Sequence, residues 1–115
     1  MAFNYSEHVV LTVAVSGTTS NAVKVQSFDI LGLVVPTIDT GTFKIQGSVS
    51  GSVFCDIYDP VGTQLLSWAS NSGARVIGAE SMRECTGFEE IRIVLGAAQN
   101  TSARTFHLML KAPNR

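Results

Sequence analysis

Alternating apolar and polar residues along this chain predict an all-β fold: a single-domain antiparallel β-sandwich or jelly roll of about eight short strands. Three observations support this prediction. Side chains alternate with a period of two in one run after another, as strands with one buried face require. Clusters of Gly, Ser, Asn and Asp separate these runs at short intervals. The helical period of 3.6 residues is not sustained over any long stretch.

The clearest strand pair spans Phe43 to Tyr58, where two alternating runs are joined by Ser50-Gly51-Ser52. A glycine between two polar residues is typical of a turn, so the segment is predicted to be a hairpin. One face of this hairpin should be buried. In its second run the apolar face is formed by Val53, Cys55 and Ile57.

The rest of the chain divides into further short strands. Ile30–Val35 is apolar on both faces, which predicts a central or doubly covered strand, and Pro36 ends it. Alternation stops over 79–85, where one short helical turn is expected. The chain is thus interpreted as an N-terminal arm, residues 1–6, and one β-sandwich domain, residues 7–115. The other predicted strands are Glu7–Val15, Ala22–Gln26, Thr63–Trp68, Arg75–Ile77, Ile91–Leu95 and Arg104–Lys111.

Composition excludes several classes of function. Eight basic and nine acidic residues give a net charge of −1, and the basic residues are scattered, so no nucleic-acid partner is expected. The longest apolar run, Ile30–Val35, is far too short to cross a bilayer, so no membrane partner is expected. The first residues lack the pattern of a signal peptide, which predicts synthesis and folding in a cytoplasm.

Few residues could bind a metal or form a disulfide. Cys55 and Cys85 are expected to be reduced, with Cys55 buried, and a disulfide between them is the alternative. His8 and His107 are far apart in sequence, so no metal-ligand spacing is present.

Asp56 and Asp59 flank Tyr58 and resemble the carboxylate pair of an acid–base site. Alternation places Asp56 on the face opposite Cys55, and Asp59 begins a tight turn, so solvation and turn chemistry explain both. No base, nucleophile or oxyanion donor accompanies them. We therefore expect no catalytic residue, no cofactor and no metal.

Several aromatic residues are candidates for a protein interface. Tyr58 and Trp68 have large amphipathic rings that bury much area at low entropic cost, although Trp68 fits a core position equally well. Phe3 and Tyr5 lie in the N-terminal arm, outside any strand pattern. Since terminal arms are ordered mainly when they dock, these two rings are predicted to pack on a neighbouring chain.

Charged residues form two further candidates. Glu80, Arg83 and Glu84 belong to a mildly acidic stretch, which is interpreted either as a solvated face or as the rim of a subunit contact. Arg104 opens the last strand. We expect Arg104 to form an ion pair that holds the loop at Gln99.

Two segments carry a family resemblance. Phe43–Asp59, FKIQGSVSGSVFCDIYD, is similar to the hairpin pattern F-Q-G-S-x-D-G-x-x-F-x-D-L-Y-D in small structural proteins of tailed bacteriophages. Gln99–Lys111, QNTSARTFHLMLK, is similar to the closing strand of the same proteins, Q-x-A-x-R-x-I-x-L-x-L-R. The intervening Ile77–Ile93 fits the short helical turn and the following strand of that family. The resemblance begins near Ser20, and Ser50 stands where the family often has an acidic turn residue.

The resemblance implies a virion component. Its favoured role is a capsid decoration, or cement, protein on the outer capsid surface, bound to the major capsid protein or other virion proteins and assembled as a dimer or trimer. The alternatives are a neck, tail or fibre adaptor and, from another class, a carbohydrate- or receptor-binding module with exposed aromatic residues. No enzymatic activity is implied.

Overall fold

The computed structural model describes residues 6–26, 28–71, 73–78, 80, 82, 85, 88–99 and 102–111. It confirms the all-β prediction, with two antiparallel sheets and no helix within these ranges. The strands are β1 (Ser6–Val13), β2 (Val23–Lys24), β3 (Asp29–Val35), β4 (Ile38–Ser48), β5 (Cys55–Asp56), β6 (Ser67–Asn71), β7 (Arg75–Gly78), β8 (Glu90–Leu95) and β9 (Arg104–Lys111).

The first sheet has the strand order β1-β9-β3-β7. Every neighbouring pair in it is antiparallel, and β1 pairs with β9 along its whole length, from Ser6 opposite Lys111 to Val13 opposite Arg104. The two strands are distant in sequence, so their pairing brings the first and last strands of the domain side by side.

The second sheet is built around β4. Its order is β2-β8-β4-β5, and β6 also pairs with β4. The β4–β8 register runs from Phe43 opposite Leu95 to Ser48 opposite Glu90. The predicted hairpin is present but short, because β5 pairs with β4 at only Gln46–Asp56 and Gly47–Cys55.

The core lies between the two sheets and joins them through aromatic rings. Phe43 of the second sheet lies 5.8 Å, centroid to centroid, from Phe106 of the first. Both rings are fully buried, and burial of this kind contributes about 1.5–3 kcal/mol per large side chain. Other fully buried side chains include Leu11, Leu33, Ile38, Ile45, Met82, Ile91, Ile93 and Leu108.

A β-bulge explains the apolar run in β3. The register with β9 shifts between Ile30 and Gly32, so Leu31 is the extra residue. Ile30, Leu33 and Val35 are buried, whereas Leu31 is 41% exposed. The strand is central, as predicted, but it is covered on one face only.

Two predicted elements require correction. The helical turn expected over 79–85 is not seen. Of the described residues, Glu80 and Met82 lie in turns and Cys85 has a 3₁₀ conformation, and the other members of this stretch are outside the described residues. The strand expected over Thr63–Trp68 is broken at Leu66, which adopts a left-handed φ of 57°. β6 begins at the next residue, Ser67.

The expectation of a buried Cys55 is wrong. Cys55 is an exposed, free thiol, and it is Cys85 that is buried. Cys55 lies in β5, a strand of two residues at the sheet edge, where alternation alone does not ensure burial: Ile57, on the same predicted face, is buried, whereas Cys55 is not. Val53, on the same face of the predicted strand, is also exposed.

Candidate interaction surface

The middle of the outer face of the first sheet carries two rows of mainly apolar residues that cross all four strands. One row of cross-strand neighbours consists of Val10, His107, Val34 and Val76, and the next consists of His8, Met109, Gly32 and Gly78. The side chains point outward because their strand neighbours, such as Leu11, Leu33 and Leu108, are buried. We call this surface the apolar outer face and define it by His8, Val10, Val34, Val76, His107 and Met109.

Solvent reaches much of the apolar outer face. Val76 is 61% exposed, Val10 is 39% exposed, and Leu31 adds a third exposed apolar side chain at the bulge. Neither row contains an Asp, Glu, Lys or Arg. Exposed apolar side chains grouped on one sheet face, in rows without acidic or basic residues of these four types, are typical of a contact with another macromolecule.

Two histidines meet on this face. Nε2 of His8 lies 2.6 Å from Nδ1 of His107, and the rings stack with centroids 4.8 Å apart and planes 26° apart. The contact is diagonal across β1 and β9, since His107 is directly opposite Val10. It was not foreseen from sequence, because the two residues are near opposite ends of the chain.

The outer face of the second sheet has a different chemistry. A polar ladder crosses it: Nζ of Lys44 donates to Asp56 at 3.0 Å, Gln46 Nε2 donates to Asp56 Oδ1 at 2.9 Å, and Arg92 Nε donates to Gln46 Oε1 at 2.9 Å. The guanidinium of Arg92 lies 4.4 Å from the ring centre of Phe54, a cation–π distance. The polar side chains of this ladder are therefore paired with one another.

The ladder also fixes the charge state of Asp56. Hydrogen bonds from Gln46 and Lys44, together with the charge of Lys44, hold the pKa of Asp56 below its ordinary value. Asp56 is thus a paired carboxylate at neutral pH, which is the opposite of what a general acid needs.

Asp59 is occupied by the turn that it begins. Its Oδ1 accepts hydrogen bonds from the N–H groups of Val61, at 3.0 Å, and Thr63, at 2.9 Å. Gly62 closes the turn with a φ of 94° and donates to the Asp59 carbonyl. Neither aspartate is arranged for acid–base work.

The loop before β9 is held as predicted. Arg104, in β9 of the first sheet, forms an ion pair with Asp39, in β4 of the second sheet. Gln99, which is 2% exposed, accepts the N–H of Asp39 at 2.7 Å and donates to the Ala97 carbonyl at 3.0 Å. Asp39 is therefore the anchor of this loop.

The interface residues predicted from sequence differ in exposure and in the contacts that they make. Tyr58 is exposed and pairs by backbone with Gln64. Trp68 is half-buried and stacks on Phe43, with centroids 5.3 Å apart, rather than on Tyr58. Glu80 is exposed. Phe3, Tyr5, Arg83 and Glu84 lie outside the described residues.

In the part of the chain that the structure describes, no helix has the length and apolar character needed to cross a membrane. No group of three or more His, Cys, Asp or Glu side chains there is placed to hold a metal ion.

The fold is shared with a protein of prophage origin. The structure of the SPBc2 prophage-derived protein YomS superposes with a TM-score of 0.62, covering 97% of both chains at 8% sequence identity. At this identity the likeness shows the fold alone.

A second solved structure comes from Bacillus endospore appendages, described as disulfide-linked pili. It covers 97% of this chain and 89% of its own, at 15% identity and a TM-score of 0.48, which does not establish a shared fold. No protein-family model and no curated protein matches the sequence.

Proposed function

We propose that this chain is a non-enzymatic structural protein of a phage virion and, specifically, a capsid decoration (cement) protein that stabilises the head shell by bridging capsid subunits. The observation that carries the proposal is the contrast between the two outer faces. The second sheet pairs its own polar groups, whereas the apolar outer face exposes valines to solvent. We assign the apolar outer face to the contact with the major capsid protein.

Two independent likenesses support a phage origin. The hairpin segment Phe43–Asp59 and the closing segment Gln99–Lys111 resemble structural proteins of tailed bacteriophages. The protein with the shared fold is itself prophage-derived. Each likeness is distant, and they rest on different properties, one on sequence motifs and the other on backbone shape.

The proposed mechanism is multivalent burial. A rigid sandwich that contacts several shell subunits gains effective concentration for each contact after the first, so modest contacts add up to firm attachment. Assembly of the chain as a dimer or trimer multiplies this effect. No reactive group is needed, which agrees with the structural roles of Asp56 and Asp59.

The other interface residues predicted from sequence are proposed to make separate contacts with neighbouring subunits. These residues are Tyr58 and Glu80, which are exposed, together with Arg83 and Glu84. The N-terminal arm, with Phe3 and Tyr5, is proposed to pack on a neighbouring chain. Deletion of residues 1–6 should then weaken assembly while the isolated domain keeps its unfolding temperature.

Copy number in purified particles tests the proposal. Quantitative mass spectrometry against the major shell protein should find on the order of hundreds of copies, as a shell-wide lattice requires. About a dozen copies or fewer would instead identify a neck, tail or fibre adaptor, because those parts surround the tail axis. A glycan-binding role would require the purified chain to bind a glycan array, although Trp68 is already stacked on Phe43.

A further inference from the structure

The contact between His8 and His107 brings one ring nitrogen of each residue next to the other. In a neutral pair, one of the facing nitrogens carries the hydrogen and the other accepts it across the 2.6 Å that separates Nε2 of His8 from Nδ1 of His107. Once that hydrogen has moved and both rings have turned away from the N···N line, the two facing lone pairs converge on a shared ligand. Neutral imidazole is the commonest metal ligand among side chains.

We propose that His8 and His107 chelate a copper(II) ion on the apolar outer face. Metal–imidazole bonds are about 2.0 Å long, so two adjacent positions of a tetragonal ion place their nitrogens about 2.9 Å apart. The observed pair reaches that separation by opening a few tenths of an ångström. A tetrahedral ion needs about 3.3 Å, which is a larger displacement. Copper(II) also binds nitrogen ligands most tightly among the divalent first-row metals.

The backbone holds the two ligands in place before the metal arrives. β1 and β9 are paired over eight residues, and His8 is directly opposite Met109 while His107 is directly opposite Val10. Pre-organisation of this kind removes most of the ordering cost of chelation. His8 is exposed and His107 half-buried, so water has access to the remaining coordination positions.

Proton balance does not oppose binding. The hydrogen between the rings moves through solvent to the outer nitrogen of the same ring, so both imidazoles stay neutral and no net proton is released. The ion then bonds to both facing nitrogens. Both ligands belong to one chain, so copper binding by the free chain does not depend on the proposed function.

Calorimetric titration of the full chain with copper(II) tests the site. The chain must carry no histidine tag, and Cys55→Ser is the parent for every sample, because the exposed thiol reacts with copper(II). We expect one copper per chain with micromolar affinity and two nitrogen ligands in the electron paramagnetic resonance spectrum. Zinc should bind at least tenfold more weakly, and magnesium should not bind.

Substitution of each ligand provides the control. His8→Gln and His107→Gln should each lower the copper affinity at least tenfold, while both variants unfold at the temperature of the parent. Copper that binds equally well to the double variant His8→Gln/His107→Gln would overturn the proposal, as would a parent without copper affinity or with tighter zinc binding.

Discussion

Gly47 shows how a single residue sets the packing of the second sheet. It lies buried in β4, and the ring of Phe88 covers it so closely that a Cβ at this position would be 2.7 Å from two ring carbons. The alternating pattern predicts that Gly47 faces inward, but it gives no reason for glycine. That reason is a ring from the segment before β8, which only the fold brings there.

Gly47→Ala should therefore lower the free energy of unfolding by about 1–3 kcal/mol, the usual cost of overpacking a core. Urea unfolding of the purified chain measures the change. Gly78→Ala is the matched control, because Gly78 is also in a strand but has no atom within 4 Å of an added Cβ. Equal stability of the two variants would contradict the close packing of Phe88.

Asp56 makes stability depend on pH in a defined direction. Its pKa is lowered in the fold by Gln46 and Lys44, so its contribution is present above the unfolded pKa, about 4, and disappears as pH falls through the folded value. Asp56→Asn should cost about 1 kcal/mol at pH 7, as expected for a half-exposed, hydrogen-bonded ion pair. Urea unfolding should show this difference at pH 7 and a much smaller one near pH 2.

The exposed Asp29, at the start of β3, serves as the control for this experiment. Asp29→Asn should cost less stability at pH 7 than Asp56→Asn does. An Asp56→Asn variant whose loss of stability is the same at both pH values would show that the carboxylate charge is not what the ladder stabilises.

At the scale of elements, β1 is an edge strand of the first sheet and is partly sealed by one side chain. Asn21 Oδ1 accepts the N–H of Thr12 at 2.8 Å, and its Nδ2 donates to the carbonyl of Val10 at 3.1 Å. The amide thus takes the place of one residue of a neighbouring strand. Open strand edges invite pairing with other chains, and a covering group blocks it.

Asn21→Ala should expose this edge and lower the free energy of unfolding by about 1 kcal/mol. Hydrogen exchange should accelerate at the amide of Thr12, whose acceptor has been removed. Asn21→Asp keeps the acceptor and loses the donor, so the Thr12 amide should stay protected in that variant. Fast exchange in both variants, or in neither, would contradict the sealing role of Asn21.

The strands show which elements can be predicted from sequence. β9 is predicted with the bounds that the structure has, Arg104–Lys111, because apolar alternation is unbroken over its whole length. β3 is also found, but its bulge at Leu31 depends on the register with β9, a contact between distant segments. Composition gives no sign of the left-handed φ at Leu66, so the strand is predicted to begin at Thr63, although β6 begins only at Ser67.

At the scale of the whole molecule, the two outer faces could not be told apart from sequence. The apolar outer face combines residues from β1, β3, β7 and β9, and only the strand order places them in rows. Tyr58 and Trp68 could be identified as interface candidates from sequence because the chain has few such aromatic residues. Of these, Trp68 contributes to the core by stacking on Phe43, so the alternative of a core position describes it better than an anchor does.

Val76→Lys tests the assignment of the apolar outer face. A charge on this face should weaken binding of the chain to stripped phage particles at least tenfold, since burial of an unpaired ammonium is unfavourable. Val49→Lys is the matched control, because Val49 is 79% exposed in the β4–β5 loop, away from the apolar outer face. Co-sedimentation measures binding, and thermal unfolding checks that both variants are folded. Equal binding of the two would contradict the assignment.

The heat resistance of phage heads tests the central claim most directly. Particles without this chain, and the same particles after addition of the purified chain, are heated while release of their DNA is followed by fluorescence. We predict release at a lower temperature without the chain and recovery of the original temperature when it is added in saturating amount. Identical release temperatures, with or without bound chain, would contradict a stabilising role in the shell.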